Sequence, residues 1–187
     1  MKRIKNFSGK EQGMTFIEVL IALVIMVTGI LGAVAMQATA KKGSFDAMQR
    51  SLASSLAQDI VEKIRVNTVG TLGGNLALYA ANSPYGSGVI AEAPTCNSGA
   101  ALCTPAQMVA HDLFSWEQAL MGAGAQNEGN NVGGLVGGIG CLSVNGNQVT
   151  VVVTWQGKAK YTDANRAEGC GTKADTRRQV VVQAFIL

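Results

Sequence analysis

Residues 14–36, MTFIEVLIALVIMVTGILGAVAM, form a long apolar stretch near the start of this 187-residue chain. The stretch contains one charged residue, Glu18, and no charge occurs in the 22 positions from Val19 to Ala40. Because an α-helix rises about 1.5 Å per residue, about 20 apolar residues are enough to cross the hydrocarbon core of a membrane. The stretch therefore predicts a membrane-spanning helix.

The basic residues that give the chain its net charge lie ahead of this stretch. Residues 1–13 hold four Lys or Arg and one Glu, which accounts for the formal net charge of +3, and the other 174 residues hold 11 basic and 11 acidic side chains. A basic segment ahead of a spanning helix is typical of the cytoplasmic side, so we expect the rest of the chain outside the cytoplasm. Because the body lacks a basic run with interleaved aromatic residues, nucleic acid is not an expected partner.

Glu18 distinguishes three interpretations of the stretch. A plain single-pass anchor leaves it unexplained, because an ionised carboxylate within lipid costs about 2.5–3.5 kcal/mol even on lenient insertion scales. A cleaved secretory signal, suggested by Ala33-Val34-Ala35, usually has a shorter apolar region of about 7–15 residues. If the chain is cut after Gly13, Met14 gains a cationic α-amino group four residues before Glu18, one helical turn away. The two charges could then pair within one chain or between neighbouring chains, and so set the register of an assembly.

The run Gly13-Met14-Thr15-Phe16-Ile17-Glu18, followed by an uninterrupted apolar helix, resembles the class III signal of type IV prepilins and pseudopilins. The resemblance implies that prepilin peptidase cleaves between Gly13 and Met14 on the cytoplasmic side, and that Met14 is then N-methylated. It also implies that Glu18 is the glutamate at the fifth position of the mature chain, which sets subunit register. The residue after the cleavage site is usually Phe in that family and is Met here.

Helical periodicity continues beyond the apolar stretch. Apolar residues recur every three or four positions with polar residues between them, which predicts an amphipathic face that packs on a sheet. These apolar positions are Phe45, Met48, Leu52, Leu56, Ile60 and Ile64. We expect one long helix from about Thr15 to about Val66, which ends before the glycines at positions 70, 73 and 74.

The remainder of the chain predicts loops, one shorter helix and antiparallel strands. Residues 67–103 and 122–140 are rich in glycine and small residues, which predicts irregular, flexible connections. Thr104-Pro105-Ala106-Gln107 is typical of a helix start, and the apolar face that follows it ends near Gly122. Residues 142–144 and 149–156, joined through Asn145-Gly146, predict a hairpin with a type I′ turn, and residues 178–186 predict a last strand. The predicted fold class is α+β, with a long N-terminal helix packed on a C-terminal antiparallel sheet.

The four cysteines all lie in the part of the chain expected outside the cytoplasm, where disulfides form and persist. Four cysteines allow three pairings. We favour Cys96–Cys103 and Cys141–Cys170 because each bridge would fix one irregular loop. The cysteine spacing contains no CxxC pair and the chain has one His, so neither a zinc site nor any other metal or cofactor is expected.

His111-Asp112 is the one pair that suggests catalysis. Adjacent helix positions point about 100° apart, so these two residues cannot form a His–carboxylate dyad directly. The chain also lacks a GxSxG motif for a nucleophilic serine. We therefore expect no catalytic residue and no enzymatic activity, with His111 on the helix surface and Asp112 bonded to a nearby loop. A membrane-anchored envelope hydrolase that uses His111 is the alternative from a different functional class.

A second group of residues resembles the head of PilV-type minor pilins, which are also called type IV pilus modification proteins. The group comprises Cys96, Cys103-Thr104-Pro105-Ala106-Gln107, His111-Asp112-Leu113 and Trp116. The resemblance implies a type IV pilin-like fold with disulfide-bridged loops. It also implies three parts: a cleaved leader at 1–13, a transmembrane or filament-core half-helix at 14–36, and a periplasmic head at 37–187 that includes the amphipathic half-helix to about residue 66.

This resemblance also implies a function, a location and partners. The expected protein is a single-pass inner-membrane subunit that moves into the pilus fibre at the cell surface, initiates pilus assembly and supports twitching motility and adhesion. Its expected partners are other minor pilins, the major pilin, the inner-membrane assembly platform and prepilin peptidase. A type II secretion pseudopilin, which carries the same leader, is the alternative within this architecture.

Overall fold

The computed structural model describes residues 13–68, 75–88, 96, 103–160 and 169–186. The chain divides into two compact units, with the boundary between Lys41 and Lys42. One α-helix, α1, runs from Phe16 to Thr68 and contributes residues to both units. The predicted single long helix is therefore confirmed.

In the first unit, the apolar side chains of α1 are exposed. Their exposed fractions range from 46% for Val19 to 80% for Phe16. The hydroxyl groups of two threonines are bonded within the helix, since Thr28 Oγ1 donates to the Val24 carbonyl at 2.9 Å and Thr39 Oγ1 donates to the Ala35 carbonyl at 3.2 Å. The helix is thus long and apolar enough to cross a membrane, and these hydroxyls need no partner outside it.

In the residues that the structure describes, the second unit combines three helical segments with two antiparallel sheets. After α1 come α2 (Leu76–Ala80), α3 (Pro105–Met121), β1 (Gln126–Asn127), β2 (Asn130–Asn131), β3 (Ile139–Asn145), β4 (Gln148–Gln156) and β5 (Arg177–Phe185). Strands β3, β4 and β5 form one sheet in that order, and β1 pairs with β2 separately. Buried residues of α1, α3 and the larger sheet share one core. The predicted α+β class, with a long helix on an antiparallel sheet, is confirmed.

In the first turns of α1 within the second unit, the face that packs in the core differs from the predicted face. From Leu56 onward the predicted apolar positions are buried, but Met48 is 64% exposed, and Gln49 and Ala53 are buried instead. Gln49 Oε1 accepts a hydrogen bond from the backbone N–H of Val136 at 3.0 Å. The periodicity of apolar residues missed this position because a polar side chain can be buried when its hydrogen bonds are made within the protein.

Helix α3 has the predicted start and end. Thr104 Oγ1 accepts from the Gln107 N–H at 3.3 Å, and Gln107 Oε1 accepts from the Thr104 N–H at 2.9 Å, which completes a capping box. The helix is terminated by Gly122, whose φ of 72° lies in the left-handed region that favours glycine. Between these ends, Trp116 is fully buried and donates from Nε1 to the Leu56 carbonyl at 2.8 Å. This bond joins α3 to α1.

Parts of the two segments predicted as irregular connections have regular structure. Helix α2 lies within 67–103, and Tyr85 exchanges two backbone hydrogen bonds with Gly140, at 2.7 and 2.8 Å. Residues 122–140 contain β1 and β2, and their Leu135 is buried. The prediction was wrong for these parts, because a few buried residues among glycines leave no periodic pattern. The remaining residues of the predicted loop 67–103, namely 69–74, 89–95 and 97–102, lie outside the described residues.

The hairpin between β3 and β4 has a different turn from the predicted one. Asn145 pairs with Gln148, so the two turn residues are Gly146 and Asn147. Gly146 has a φ of 57°, while Asn147 does not have a positive φ. A type I′ turn requires positive φ at both positions, so that prediction was wrong, and glycine at the first position is typical of type II′.

Gly140 allows β3 to approach α3 closely, and we expect Gly140→Ala to destabilise the head. An added Cβ would clash with the Trp116 ring and lie 2.8 Å from Leu120 Cδ1, and both neighbours are fully buried. Such overpacking should lower the free energy of unfolding by about 1–3 kcal/mol, measured by chemical denaturation. Gly124→Ala is the matched control because a Cβ there meets nothing within 4 Å. Equal destabilisation by both variants would contradict this packing.

Candidate processing and assembly site

The candidate cleavage position lies immediately before α1. Gly13, Met14 and Thr15 are exposed and outside the helix. The Thr15 carbonyl accepts hydrogen bonds from the N–H groups of Glu18 at 3.1 Å and Val19 at 3.3 Å, which marks the beginning of the helix. An added Cβ on Gly13 would meet nothing within 4 Å. The peptide bond after Gly13 therefore lies in exposed chain without helical hydrogen bonds, where a peptidase can bind it.

Glu18 is an exposed carboxylate in the first turn of α1. Negative charge is favourable at this end of a helix because unbonded N–H groups point towards it. Its neighbours are apolar and exposed, which would leave the carboxylate without water in a membrane or a packed filament. Met14 precedes the helix and in the uncut chain has an uncharged amide nitrogen, so a Met14–Glu18 charge pair requires cleavage first. The pair stays a prediction.

Two disulfides fix loops of the second unit. Cys96 is bonded to Cys103 and Cys141 to Cys170, with Cα–Cα distances of 5.5 and 5.8 Å. These are the pairs that the sequence analysis favours. Cys141 lies in β3 opposite Val152 of β4, and Cys170 Sγ lies 3.6 Å from the Val152 carbonyl oxygen. The second bridge thus attaches the segment before β5 to the sheet.

The two disulfides should contribute unequally to stability, because they close loops of different length. The sequence separations are 7 residues for Cys96–Cys103 and 29 for Cys141–Cys170. The chain-entropy relation gives about 2–2.5 kcal/mol for the shorter loop and about 3.5 kcal/mol for the longer one. We expect Cys141→Ser/Cys170→Ser to lower the free energy of unfolding by more than Cys96→Ser/Cys103→Ser does. The reverse order in chemical denaturation would contradict this assignment.

Asp112 belongs to a buried hydrogen-bonded group that joins α1, α2 and α3. The Tyr79 hydroxyl donates to Asp112 Oδ2 at 2.8 Å and accepts from Asn67 Nδ2 at 3.0 Å. Burial, with a smaller contribution from Asp112, raises the pKa of Tyr79 well above its usual range, so the hydroxyl remains a donor at physiological pH. The Tyr85 hydroxyl donates to the Tyr79 carbonyl at 2.7 Å. The expected bond from Asp112 to a nearby segment is thus present, and its partner is a helix rather than a loop.

Glu117 is a second buried carboxylate that the sequence analysis did not single out. It is fully buried and accepts hydrogen bonds at Oε1 from the backbone N–H groups of Gly86 at 2.8 Å and Ser87 at 3.3 Å. Its position on the apolar side of α3, one residue after Trp116, is the sequence feature that could have predicted its burial. Asp112 thus holds α2 against α3, and Glu117 holds the segment after α2 against α3, so both carboxylates have a structural role. Within the described residues no group of His, Cys, Asp and Glu is arranged to hold a metal ion.

Comparison with protein families gives two matches that adjoin along the chain. Residues 8–34 match the prokaryotic N-terminal methylation motif, and residues 35–114 match the Tt1218-like family, described as type IV pilin Tt1218. This chain carries a type IV pilin domain. No curated protein and no solved structure shows significant similarity to the chain.

The pilin domain and the methylation motif bear on several predictions. The resemblance of the N-terminal run to type IV prepilins is confirmed by the motif, which implies processing by prepilin peptidase and assembly into pili. The matched family consists of structural pilus proteins, so the prediction that the chain is not an enzyme is also confirmed. The exposed apolar part of α1, together with the motif, fits membrane anchoring.

Proposed function

We propose that this chain is a minor pilin of the type IV pilus, of the PilV type, which initiates pilus assembly and thereby supports twitching motility and adhesion. The observation that carries the proposal is the methylation motif at residues 8–34, which includes the exposed apolar beginning of α1 and its carboxylate Glu18. The adjoining pilin domain favours a pilus over a type II secretion system.

Processing is the first step of the proposed function. Prepilin peptidase removes residues 1–13 at the cytoplasmic side by cleavage after Gly13, and the new N-terminal residue Met14 is methylated. Residues 14–36 then anchor the chain in the inner membrane as a single span. Residues 37–187 form the head, which lies in the periplasm. This compartment is oxidising, which suits the two disulfides.

Assembly is the second step, in which the apolar part of α1 moves from lipid into the core of the filament. This transfer exchanges one apolar surrounding for another, so the hydrophobic effect contributes little to it. Shape and charge therefore decide the position of the subunit. The Glu18 carboxylate pairs with the α-ammonium group of Met14, in the same chain or in a neighbour, and this sets the register.

The proposed partners follow from these two steps. They are prepilin peptidase, the inner-membrane assembly platform, the major pilin and other minor pilins. As a structural subunit of a filament, the protein contributes packing surfaces and charge pairing rather than catalysis.

Deletion of the chain tests the proposed function. We expect cells without the chain to lose most surface pili and twitching. Production of the unchanged chain in these cells should restore both, and sheared filaments should then contain a small amount of it. The variant His111→Ala should restore piliation fully. Loss of protein secretion with normal piliation would indicate a secretion pseudopilin. A hydrolytic activity that His111→Ala abolishes while pili persist would indicate an envelope hydrolase.

A further inference from the structure

Three exposed lysines lie at the beginning of the second unit's part of α1 or in the segment after β4 that contacts it, and we name Lys42, Lys158 and Lys160 the basic collar. The Lys158 ammonium lies 5.2 Å from the centre of the Phe45 ring. Lys42 precedes Phe45 by three residues on the same side of the helix. Lys158 and Lys160 follow β4, and α1 holds Lys158 at this position because the backbone N–H of Lys158 donates to Asp46 Oδ1 at 2.9 Å.

The charges of the basic collar are not neutralised by nearby carboxylates. Within the described part of the chain, no ion pair involves Lys42, Lys158 or Lys160. The neighbouring Asp46 carboxylate instead accepts from Arg178 Nη2 at 3.5 Å through its other oxygen. The collar thus presents three positive charges to whatever lies against it.

The cationic side chains at the far end of α1 form ion pairs. Lys63 lies 3.1 Å from Asp59, and Arg65 lies 2.7 Å from Glu62. The head therefore has neutralised cations at one end of its part of α1 and cations without ion pairs at the other end. Lys63 and Arg65 provide a matched internal control for the collar.

The basic collar begins where the apolar run ends. Lys42 is two residues beyond Ala40, the last residue of the uncharged run, which corresponds to about 3 Å along a helix. Asp46, which binds the Lys158 backbone, is about 6 Å further on. With residues 14–36 in the hydrocarbon core, Lys42 lies about 9 Å and Asp46 about 15 Å beyond the end of the span. The head-group region extends about 5–7 Å beyond the core, so the collar lies within about one Debye length, ~8 Å at physiological salt, of the lipid head groups.

We propose that the basic collar binds the anionic phospholipid head groups of the outer face of the inner membrane while the subunit awaits assembly. The inference rests on the proposed function, because it requires the apolar part of α1 to span the membrane. Charge complementarity identifies the partner, because clustered lysines next to a spanning helix attract anionic lipids. Binding fixes the depth of the helix and the position of the head before the subunit leaves the bilayer.

The reactivity of individual lysines tests this proposal on the full chain in lipid nanodiscs. One set of discs contains phosphatidylcholine only, and the other contains phosphatidylglycerol in addition. A water-soluble acetylating reagent is applied, and mass spectrometry gives the rate for each lysine. We expect Lys158 and Lys160 to be acetylated about fivefold more slowly in the anionic discs, which is the effect expected for a single lysine bound at an anionic membrane surface. The acetylation rate of Lys63 should be the same in both kinds of disc. About 0.5 M NaCl should remove the difference because it screens the charges.

Matched variants assign the effect to the collar. Lys158→Gln/Lys160→Gln keeps the backbone bond to Asp46. In this variant, the factor by which anionic discs slow the acetylation of Lys42 should fall to half or less. Lys63→Gln/Arg65→Gln removes the same charge at the other end of the helix and should leave the slowing of Lys42 intact. The proposal is overturned if Lys158 and Lys160 react equally in both kinds of disc, or if Lys63 is slowed as much as they are.

Two controls separate this inference from its alternatives. If inorganic phosphate slows the same lysines in phosphatidylcholine discs, the collar binds free phosphate and the lipid proposal is wrong. Retention of the chain in the discs after a high-salt wash tests membrane anchoring separately. Release from the discs would count against the proposed function, whereas retention with equal lysine rates would overturn the collar alone.

Discussion

Gly13→Leu should abolish processing of the chain. We expect cells that produce this variant to accumulate a precursor that is heavier by the 13-residue leader, with none of the protein in sheared filaments. Gly13 is exposed and precedes α1, and an added side chain there meets nothing within 4 Å, so the variant should fold normally. The loss would then reflect the peptidase, which must hold the chain at the cleaved bond. Immunoblotting of the membrane and filament fractions measures both quantities.

Gly9→Leu is the matched control for this experiment, because it places the same side chain elsewhere in the leader. We expect it to be processed and assembled like the unchanged chain. Normal processing of Gly13→Leu would contradict cleavage after Gly13. Unfolding of the head in the purified Gly13→Leu chain at the same denaturant concentration as in the unchanged chain would show that the fold is intact.

Glu18→Ala should separate processing from assembly. We expect normal cleavage, because the helix still begins at Phe16, and at least a tenfold lower amount of the protein in filaments. Without the carboxylate, the α-ammonium group of Met14 has no opposite charge when it enters the apolar filament core. Quantitative mass spectrometry of sheared filaments, relative to the membrane fraction, measures incorporation.

The matched control for this second experiment is Glu62→Ala, which removes an exposed carboxylate from the same helix. Glu62 forms an exposed pair with Arg65, and such pairs contribute little to stability. We expect incorporation of this variant to be unchanged. Unimpaired incorporation of Glu18→Ala would contradict a role of Glu18 in register, and an equal loss in both variants would indicate a general effect of charge.

Features that depend on neighbouring residues could be predicted from the sequence. The length of α1 follows from a continuous apolar and then amphipathic pattern, and the capping box at Thr104 follows from four adjacent residues. The candidate site around Gly13 and Glu18 is also local, because one exposed segment holds all of its residues. Local chemistry therefore indicated both the fold class and the position of the site.

Features that depend on distant residues could not be predicted. Gln49 is buried because Val136, 87 residues further along, offers its backbone N–H. Tyr79 lies outside any periodic pattern and is buried where it bonds Asp112 of α3. Glu117 lies on the apolar side of α3, but the backbone N–H groups of Gly86 and Ser87 that bond it are about 30 residues away in the chain. The basic collar is also non-local, since Lys158 contacts Phe45 and Asp46 of α1, which are more than 100 residues earlier in the chain.

The mass of the N-terminal peptide of the mature protein, isolated from membranes, tests the central claim most directly. We predict a chain that begins at Met14 and carries one additional methyl group on its α-amino nitrogen. A chain that begins at Met1 would indicate a plain membrane anchor, and one that begins at Met36 would indicate a cleaved secretory signal. Either of these results would contradict processing as a prepilin.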